Sequence, residues 1–175
     1  MNKLKISIYF SMLFFAQTIL ADLNLNTSQN SSNGHSVTAW ENYVGPGNDI
    51  FVSRQTGGTW NASVGVANPA TYPSLARTAI NTADQMVVIW MGYDTVTFYQ
   101  SLYGSTYNSL TDTWTTQLIS DPSVEYVIGD HQVRIAAGGE IVVTCAGYLY
   151  AGGTYEARGI YAPTYGTWTA PATIP

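Results

Sequence analysis

The sequence predicts an all-β protein, a partial β-propeller of about three four-stranded antiparallel blades. Two observations lead to this prediction. A Thr-Trp pair recurs, and its tryptophans Trp60, Trp114 and Trp168 are each spaced by 54 residues (114 − 60 and 168 − 114). Short β-branched strands that follow turns recur with a similar rhythm. A period of about 50 residues in a strand-rich chain is typical of a radial repeat with one blade per period.

The first residues, Met1–Ala21, have the layout of a secretory signal. Lys3 and Lys5 precede the apolar run Ile6–Leu20, and polar residues follow it. Because the run is short and contains polar residues, no permanent membrane span is expected. The mature chain is therefore expected to begin near Asp22 and to be secreted or periplasmic.

The composition of the mature chain excludes some partners. Without Lys3 and Lys5 the chain keeps four arginines and eleven acidic residues, a formal charge of −7 (4 − 11). This charge would repel nucleic acid and anionic membranes. The single cysteine, Cys145, lies in an apolar run, so we expect a buried, unreactive thiol, with an intermolecular disulfide as the alternative.

The mature chain divides into a flexible lead-in, 22–34, and three repeats at about 35–68, 69–121 and 122–175. Leu23 and Leu25 could form one edge strand in the lead-in. Each repeat contains a β-branched, apolar segment after a turn, which we interpret as the second strand of a blade. These segments are Ser36–Trp40, Met86–Trp90 and Ile141–Cys145.

The other strands of each blade are predicted from the alternation of polar and apolar residues and from their order in the repeat. Polar and apolar residues alternate in Thr95–Tyr99 and Tyr155–Tyr161, which predicts third strands. Inner strands are predicted within Tyr72–Thr78, which has some helical periodicity, and Val124–Ala136. The first repeat offers no convincing inner strand.

The segment Ser53–Trp60 predicts a hairpin, because Gly57 and Gly58 tolerate the positive φ that such a turn requires. It resembles the Asp-box of the bacterial neuraminidase repeat, Ser-x-Asp-x-Gly-x-Thr-Trp. The matching residues are Ser53, Gly57, Thr59 and Trp60, with Gln55 in place of the Asp.

The other two copies keep only Thr113-Trp114 and Thr167-Trp168. The resemblance implies a sialidase-like propeller in which the box is a structural turn and its Trp packs between sheets. It does not imply sialidase activity. We expect Trp60, Trp114 and Trp168 to be largely buried at equivalent places.

By this resemblance, a catalytic site would need three arginines around a carboxylate, a Tyr–Glu pair and an Asp. Arg54 is expected on the outer rim, away from the channel. Glu125 and Tyr126 are adjacent, so a strand would point them to opposite faces. His35 and His131 lack the spacing of a metal site or a triad and are expected to be solvated or hydrogen-bonded loop residues. No cofactor, metal or catalytic residue is expected.

Tyrosines crowd the second and third repeats, and their flat faces suit sugar rings or protein surfaces, although they could simply pack between blades. The candidate ligand-binding residues are Arg77, Arg134, Tyr93 and Tyr148. The predicted function is an exported, non-catalytic binding or scaffolding module for a glycan or protein. The alternative is a sialidase-like glycoside hydrolase or an inactive fragment of one.

Counting blades gives one more expectation. Closed propellers use about four to eight blades, so three leave two blade faces bare. Three explanations remain open: a truncated propeller, a homodimer that completes a six-bladed ring, and flat packing that hides the faces.

Overall fold

The computed structural model describes residues 25–30, 32–44, 47–67, 72–93, 99–123 and 125–174. Every regular element in these ranges is a strand. The described residues contain no helix that is long and apolar enough to cross a membrane. The expected signal segment 1–21 and Leu23 lie outside the described residues. The strands are β1 (Asn26–Gln29), β2 (Ser36–Val44), β3 (Gly47–Thr56), β4 (Thr59–Trp60), β5 (Val64–Gly65), β6 (Ser74–Ile80), β7 (Met86–Tyr93), β8 (Gln100–Asn108), β9 (Thr113–Leu118), β10 (Glu125–Ile135), β11 (Ile141–Leu149), β12 (Thr154–Ala162) and β13 (Ala172–Thr173).

These strands form three antiparallel sheets, each taken from one continuous stretch of chain. Blade 1 has the order β1-β2-β3-β4, with β5 also paired to β3. Blade 2 has the order β6-β7-β8-β9, and blade 3 has the order β10-β11-β12-β13. Apart from β5, strands that follow each other in one blade are thus also paired, as in the blades of a propeller. The fold is an all-β partial propeller of three blades.

Several predicted elements are confirmed. The three β-branched segments form β2, β7 and β11, each second in its sheet. The box residues form the β3–β4 hairpin, in which Gly57 and Gly58 have φ values of 57° and 80°. Inner strands β6 and β10 lie where the sequence predicted them, so the helical alternative for the first is wrong.

Two predictions about strands are corrected. The third strand of blade 2 is β8 (Gln100–Asn108), not Thr95–Tyr99; Tyr99 precedes it, and residues 95–98 lie outside the described part. Blade 1 has an inner strand, β1, inside the segment expected to be a flexible lead-in. This strand is polar because it bonds to the next blade through side chains: Asn26 accepts hydrogen bonds from Thr78, and Ser28 donates one to the Thr78 carbonyl.

The core lies between the blades, in two apolar layers. Blade 2 is in the middle, and the first seven residues of β7 are buried. Its side chains alternate between the layers: Ile89 packs with residues of blade 3, and Trp90 packs with residues of blade 1. Strand β11 of blade 3 instead alternates buried and exposed residues, because only one face of its sheet meets another blade.

Polar contacts join neighbouring blades at their edges. Asp112, in the β8–β9 turn of blade 2, pairs with Arg54 of blade 1 at 2.6 Å. Arg54 therefore lies away from the inner strands, as predicted. On the inner strands, Arg77 of blade 2 pairs with Asp130 of blade 3 at 2.7 Å.

The repeated tryptophans are less buried than predicted. Trp60 is 46% exposed, which corrects the expectation that all three are largely buried. Trp114 and Trp168 are half-buried, Trp114 against the layer between blades 1 and 2 and Trp168 against the layer between blades 2 and 3. The difference follows from the topology, since within the described chain no blade precedes blade 1.

Candidate functional site

Three tyrosines form a ladder across blade 3. Tyr126 on β10 is paired with Tyr148 on β11, which is paired with Tyr155 on β12. The ring centroids are 5.1 Å apart in the first pair and 5.0 Å in the second. Because residues directly opposite each other in a sheet share a face, the three rings lie side by side.

Two further tyrosines extend this ladder. Tyr99, which precedes β8 of blade 2, stacks on Tyr126 with ring centroids 5.8 Å apart and an interplanar angle of 10°. Tyr150, in the β11–β12 loop, lies 5.1 Å from Tyr99 and 6.0 Å from Tyr126. We call these five residues the tyrosine cluster: Tyr99, Tyr126, Tyr148, Tyr150 and Tyr155.

The cluster is accessible to solvent. Tyr155 is 71% exposed and Tyr99 is 40% exposed, whereas the other three rings are half-buried. Its ladder lies on the face of blade 3 that points away from blade 2, because Ile141, Val143 and Cys145 of β11 point the other way. Large aromatic rings are thus presented outward at one end of the blade.

The hydroxyl groups of Tyr126 and Tyr150 are neutral hydrogen-bonding groups. Loss of surrounding water, together with the neighbouring tyrosines Tyr155, Tyr148 and Tyr99, raises the pKa of Tyr126 above its usual range. Burial, followed by the effects of Tyr99, Tyr126 and Glu125, raises the pKa of Tyr150. The hydroxyl of Tyr150 has no hydrogen-bond partner among the described groups. The cluster therefore offers flat apolar faces edged by neutral donors and acceptors.

Only one of the four predicted ligand-binding residues belongs to this cluster. Tyr148 lies at its centre, and Tyr93 ends β7 at the equivalent position of blade 2. Arg134 is exposed on the same face of blade 3, towards the other end of β10, where it donates to its neighbour's carbonyl. Arg77 is held by Asp130 on the inner strands, so the two arginines and the two tyrosines do not form one site.

Tyr126 was missed as a site residue, because sequence reasoning considered it only as a possible partner of Glu125. The prediction that the two side chains point to opposite faces is confirmed. Glu125 is 1% exposed and pairs with the buried Arg158 at 2.5 Å, in space left by Gly147, where a Cβ would meet both side chains. The strand register that builds the ladder gives no signal in the local sequence.

The two histidines form hydrogen bonds within the fold, and the cysteine is buried in it. His35 precedes β2 and lies 2.9 Å from Asp84, as expected of a hydrogen-bonded loop residue. His131 is a buried residue of β10, so the expectation of a loop histidine is wrong. Cys145 is a buried free thiol, as predicted. Among the described residues, no group of three or more His, Cys, Asp or Glu side chains could hold a metal ion.

The box residues have structural contacts. Ser53 donates to the carbonyl of Asn61 at 2.7 Å and so closes the end of the first hairpin. In each blade the box threonine follows a turn and pairs with a residue on the other side of that turn. These pairs are Thr59 with Thr56, Thr113 with Asn108 and Thr167 with Thr164. These contacts agree with a turn of structural importance at the same place in each blade.

A cleft with a volume of about 450 Å³ lies between blades 1 and 2. Arg54, Asp112 and Trp114 line it, and it shares no residue with the tyrosine cluster. Because Arg54 and Asp112 neutralise each other there, the cleft offers no unpaired charge for a ligand. The tyrosine cluster is therefore the stronger candidate site.

The three sheets define the class of this protein as a β-propeller with an incomplete ring. No protein-family model matches the sequence, and no curated protein matches it. Three of the solved structures that match are propeller proteins that act on carbohydrates. An α-L-arabinanase from Penicillium chrysogenum matches with a TM-score of 0.59 and 14% identity, over 86% of this chain and 48% of the arabinanase. An endo-arabinase from Bacteroides thetaiotaomicron matches with a TM-score of 0.51 and 12% identity, over 86% of this chain and 60% of the endo-arabinase. An ulvan lyase, which is a polysaccharide lyase, matches with a TM-score of 0.53 and 11% identity, over 82% of this chain and 41% of the lyase.

The chain thus spans about half the length of these structures. At such low identity the likeness shows the fold alone. It supports a propeller and does not single out the sialidase repeat that the box motif resembles.

Proposed function

We propose that this protein is an exported, non-catalytic β-propeller module that binds neutral carbohydrate chains through the tyrosine cluster. The observation that carries the proposal is the ladder Tyr126–Tyr148–Tyr155, whose rings lie about 5 Å apart on an exposed face. Tyrosine gives a large contact area at a low cost in conformational entropy, since its ring has few rotatable bonds.

The chemistry of the surroundings favours an uncharged ligand. The mature chain carries a formal charge of −7, which disfavours polyanions. Solved structures with the same fold include an arabinanase complexed with arabinobiose. This supports arabinose-containing oligosaccharides as the first ligands to test. Export is proposed from the signal-like segment 1–21, and a mature N-terminus near Asp22 would support it.

The ion pairs that the arginines form argue against a catalytic site of the sialidase type. A sialidase-type site needs three of them around one carboxylate, but Arg54, Arg77 and Arg158 each pair with an acidic residue of this chain. Only Arg134 forms no ion pair with a described residue. Turnover of a fluorogenic sialoside or arabinoside that is lost in Arg134→Ala would overturn the non-catalytic proposal in favour of a glycoside hydrolase.

Binding is tested by titrating the protein with arabinobiose and longer arabino-oligosaccharides, followed by calorimetry and by tyrosine fluorescence. Tyr148→Ala and Tyr155→Ala should each weaken binding about 10-fold or more, because tyrosines are frequent binding hot spots whose truncation costs roughly 2 kcal/mol or more. Tyr161→Ala is the matched control, since Tyr161 is 43% exposed on the same blade but lies outside the cluster. Equal effects of the three substitutions, or no binding to any glycan on an array, would contradict the proposal.

A further inference from the structure

The two junctions between blades in this chain use the same contact. At the junction of blades 2 and 3, the Trp168 ring covers Gly104 of β8, with its Cζ2 3.1 Å from where a Cβ of Gly104 would lie. Ile119 flanks this position at 3.4 Å and is 4% exposed. A tryptophan of one blade therefore packs onto a fixed place, which we call the seat, on the blade before it.

The seat recurs in every blade. Backbone hydrogen bonds identify its flanking residue, because each one donates from its nitrogen to the third strand over the same distance of 2.9 Å. These bonds are Val66 to Ile50, Ile119 to Leu102 and Ile174 to Ala157. In blade 1 the seat contains Val52 and Val66, and Trp114 of blade 2 packs against the layer that contains them. Two tryptophans thus occupy two seats.

Blade 3 carries a seat that no tryptophan covers. Gly159 and Ile174 stand 55 residues after Gly104 and Ile119 (159 − 104 and 174 − 119). Ile174 lies 3.3 Å from where a Cβ of Gly159 would lie, much as Ile119 lies beside Gly104. However, Ile174 is 42% exposed whereas Ile119 is 4% exposed. The geometry of the seat is present, and within the described chain Ile174 stays open to solvent.

Blade 1 carries the complementary feature. Its tryptophan, Trp60, is 46% exposed and is not part of either apolar layer of the described residues. The three blades therefore have one unseated tryptophan on the outward face of blade 1 and one empty seat on the outward face of blade 3. Each outward face carries the half of the contact that the other lacks.

We propose that two copies of this chain join head to tail, with Trp60 of each copy on the Gly159–Ile174 seat of the other. Two arcs of three blades make six, within the range of about four to eight blades in closed propellers. A single two-fold axis makes both junctions identical, so the assembly closes as a dimer and does not grow further. This proposal does not depend on the proposed function.

The tyrosine ladder lies on the same face of blade 3 as the seat, but towards the other end of β11. Tyr148 lies four residues along β11 from Thr144, the partner of Gly159, which corresponds to about 13 Å. Tyr93 occupies the equivalent place in the formed junction of blades 2 and 3 and is still half-exposed. Carbohydrate binding and dimer formation can therefore fail separately when they are tested.

The first experiment measures the molar mass of the full chain by light scattering across a dilution series. The wild-type protein should have twice the mass of one chain. Trp60→Glu and Gly159→Arg should each reduce the mass to that of a monomer. The circular dichroism spectrum should not change, because Trp60 is 46% exposed and Ile174, the residue that a side chain at position 159 would meet, is 42% exposed and can move aside. Leu110→Glu, at a residue that is 95% exposed in the β8–β9 turn, is the control and should remain a dimer.

A mixing experiment tests the head-to-tail arrangement. Trp60→Glu keeps an intact seat, and Gly159→Arg keeps an intact tryptophan, so an equimolar mixture restores one of the two junctions. The mixture should associate at least about 10-fold more tightly than either variant alone, since interface tryptophans are frequent hot spots. A monomeric wild type, a dimer that survives both substitutions, or a mixture that associates no better than its components would each overturn the proposal.

Discussion

The hydroxyl oxygen of Tyr165 lies 2.9 Å from the backbone nitrogen of Tyr107, and this contact ties the last hairpin of blade 3 to blade 2. The same oxygen accepts a hydrogen bond from the nitrogen of Met86 at 3.0 Å. Burial raises the pKa of Tyr165 to about 12, so the group is a neutral hydroxyl at physiological pH. One side chain therefore satisfies two backbone groups at the ends of the two central strands of another sheet.

Tyr165→Phe should lower the free energy of unfolding by about 1–3 kcal/mol, because it leaves partly buried backbone groups without a partner. In a chain of this length, the loss corresponds to a decrease of several degrees in the melting temperature. Tyr161→Phe is the control, since Tyr161 is 43% exposed. Thermal unfolding curves that coincide for the two variants would show that the Tyr165 hydroxyl does not stabilise the junction.

Trp168→Ala should destabilise the protein by about 3 kcal/mol, the lower end of the range for buried tryptophans, because the ring is only half-buried. Trp114→Ala should have a similar effect at the other junction. Chemical denaturation monitored by circular dichroism gives the values, with Leu110→Ala as the exposed control. A loss below about 1 kcal/mol at either tryptophan would contradict a stabilising role for these contacts.

Stability should fall as the pH decreases below about 6.5, and His131 should account for part of the decrease. Burial has the largest effect and lowers the pKa of His131. The hydrogen bond to the Ile89 carbonyl opposes it, and the charges of Arg77 and Asp130 have smaller effects that lower and raise the pKa, respectively. Below the unfolded value of about 6.5, the unfolded chain therefore binds a proton that the folded chain does not bind. The resulting loss of stability grows until the pH passes the lowered folded-state pKa.

His131→Gln should make the melting temperature less dependent on pH between about 6.5 and 5, whatever its effect at neutral pH. The measurement is a series of thermal unfolding curves over this interval for the wild type and the variant. Parallel pH profiles would mean that His131 does not titrate differently in the folded and unfolded states.

Cys145 should not react with thiol reagents in the folded protein. Burial and then the charge of Glu125 raise the pKa of its thiol to about 12, so almost no thiolate is present at pH 8. Mass spectrometry should show no alkylation of the native protein within an hour and complete alkylation in denaturant. Rapid labelling of the native protein would contradict the buried position, and protection that persists in non-reducing denaturant would indicate a disulfide.

Features determined by local patterns could be predicted from the sequence. The second strands are β-branched, apolar and preceded by turns, and β7 is buried because it lies in the middle blade. Gly57 and Gly58 predicted their hairpin through the positive φ values that it requires. For these elements, packing against the neighbouring blades agrees with the strand or turn that the local sequence predicts.

Features that depend on a neighbouring blade could not be predicted in this way. Strand β1 is polar because Asn26 and Ser28 bond to Thr78 on β6, so it has no apolar alternation. Strand β8 contains buried small residues such as Ser105, whereas the alternating segment before it looked more like a strand. The exposure of Trp60 and the tyrosine ladder likewise follow from the blade order and the strand register.

The middle position of blade 2 has a consequence for how the molecule comes apart. In linear arrays of repeats, each unit is stabilised by its own contacts and by the interfaces with its neighbours. Blade 2 has two such interfaces, whereas each terminal blade has one within the described chain. In a monomeric variant such as Trp60→Glu, hydrogen exchange should therefore be slowest for the amides of β7. The terminal blades should open first, so that the arc unfolds locally from its ends inwards.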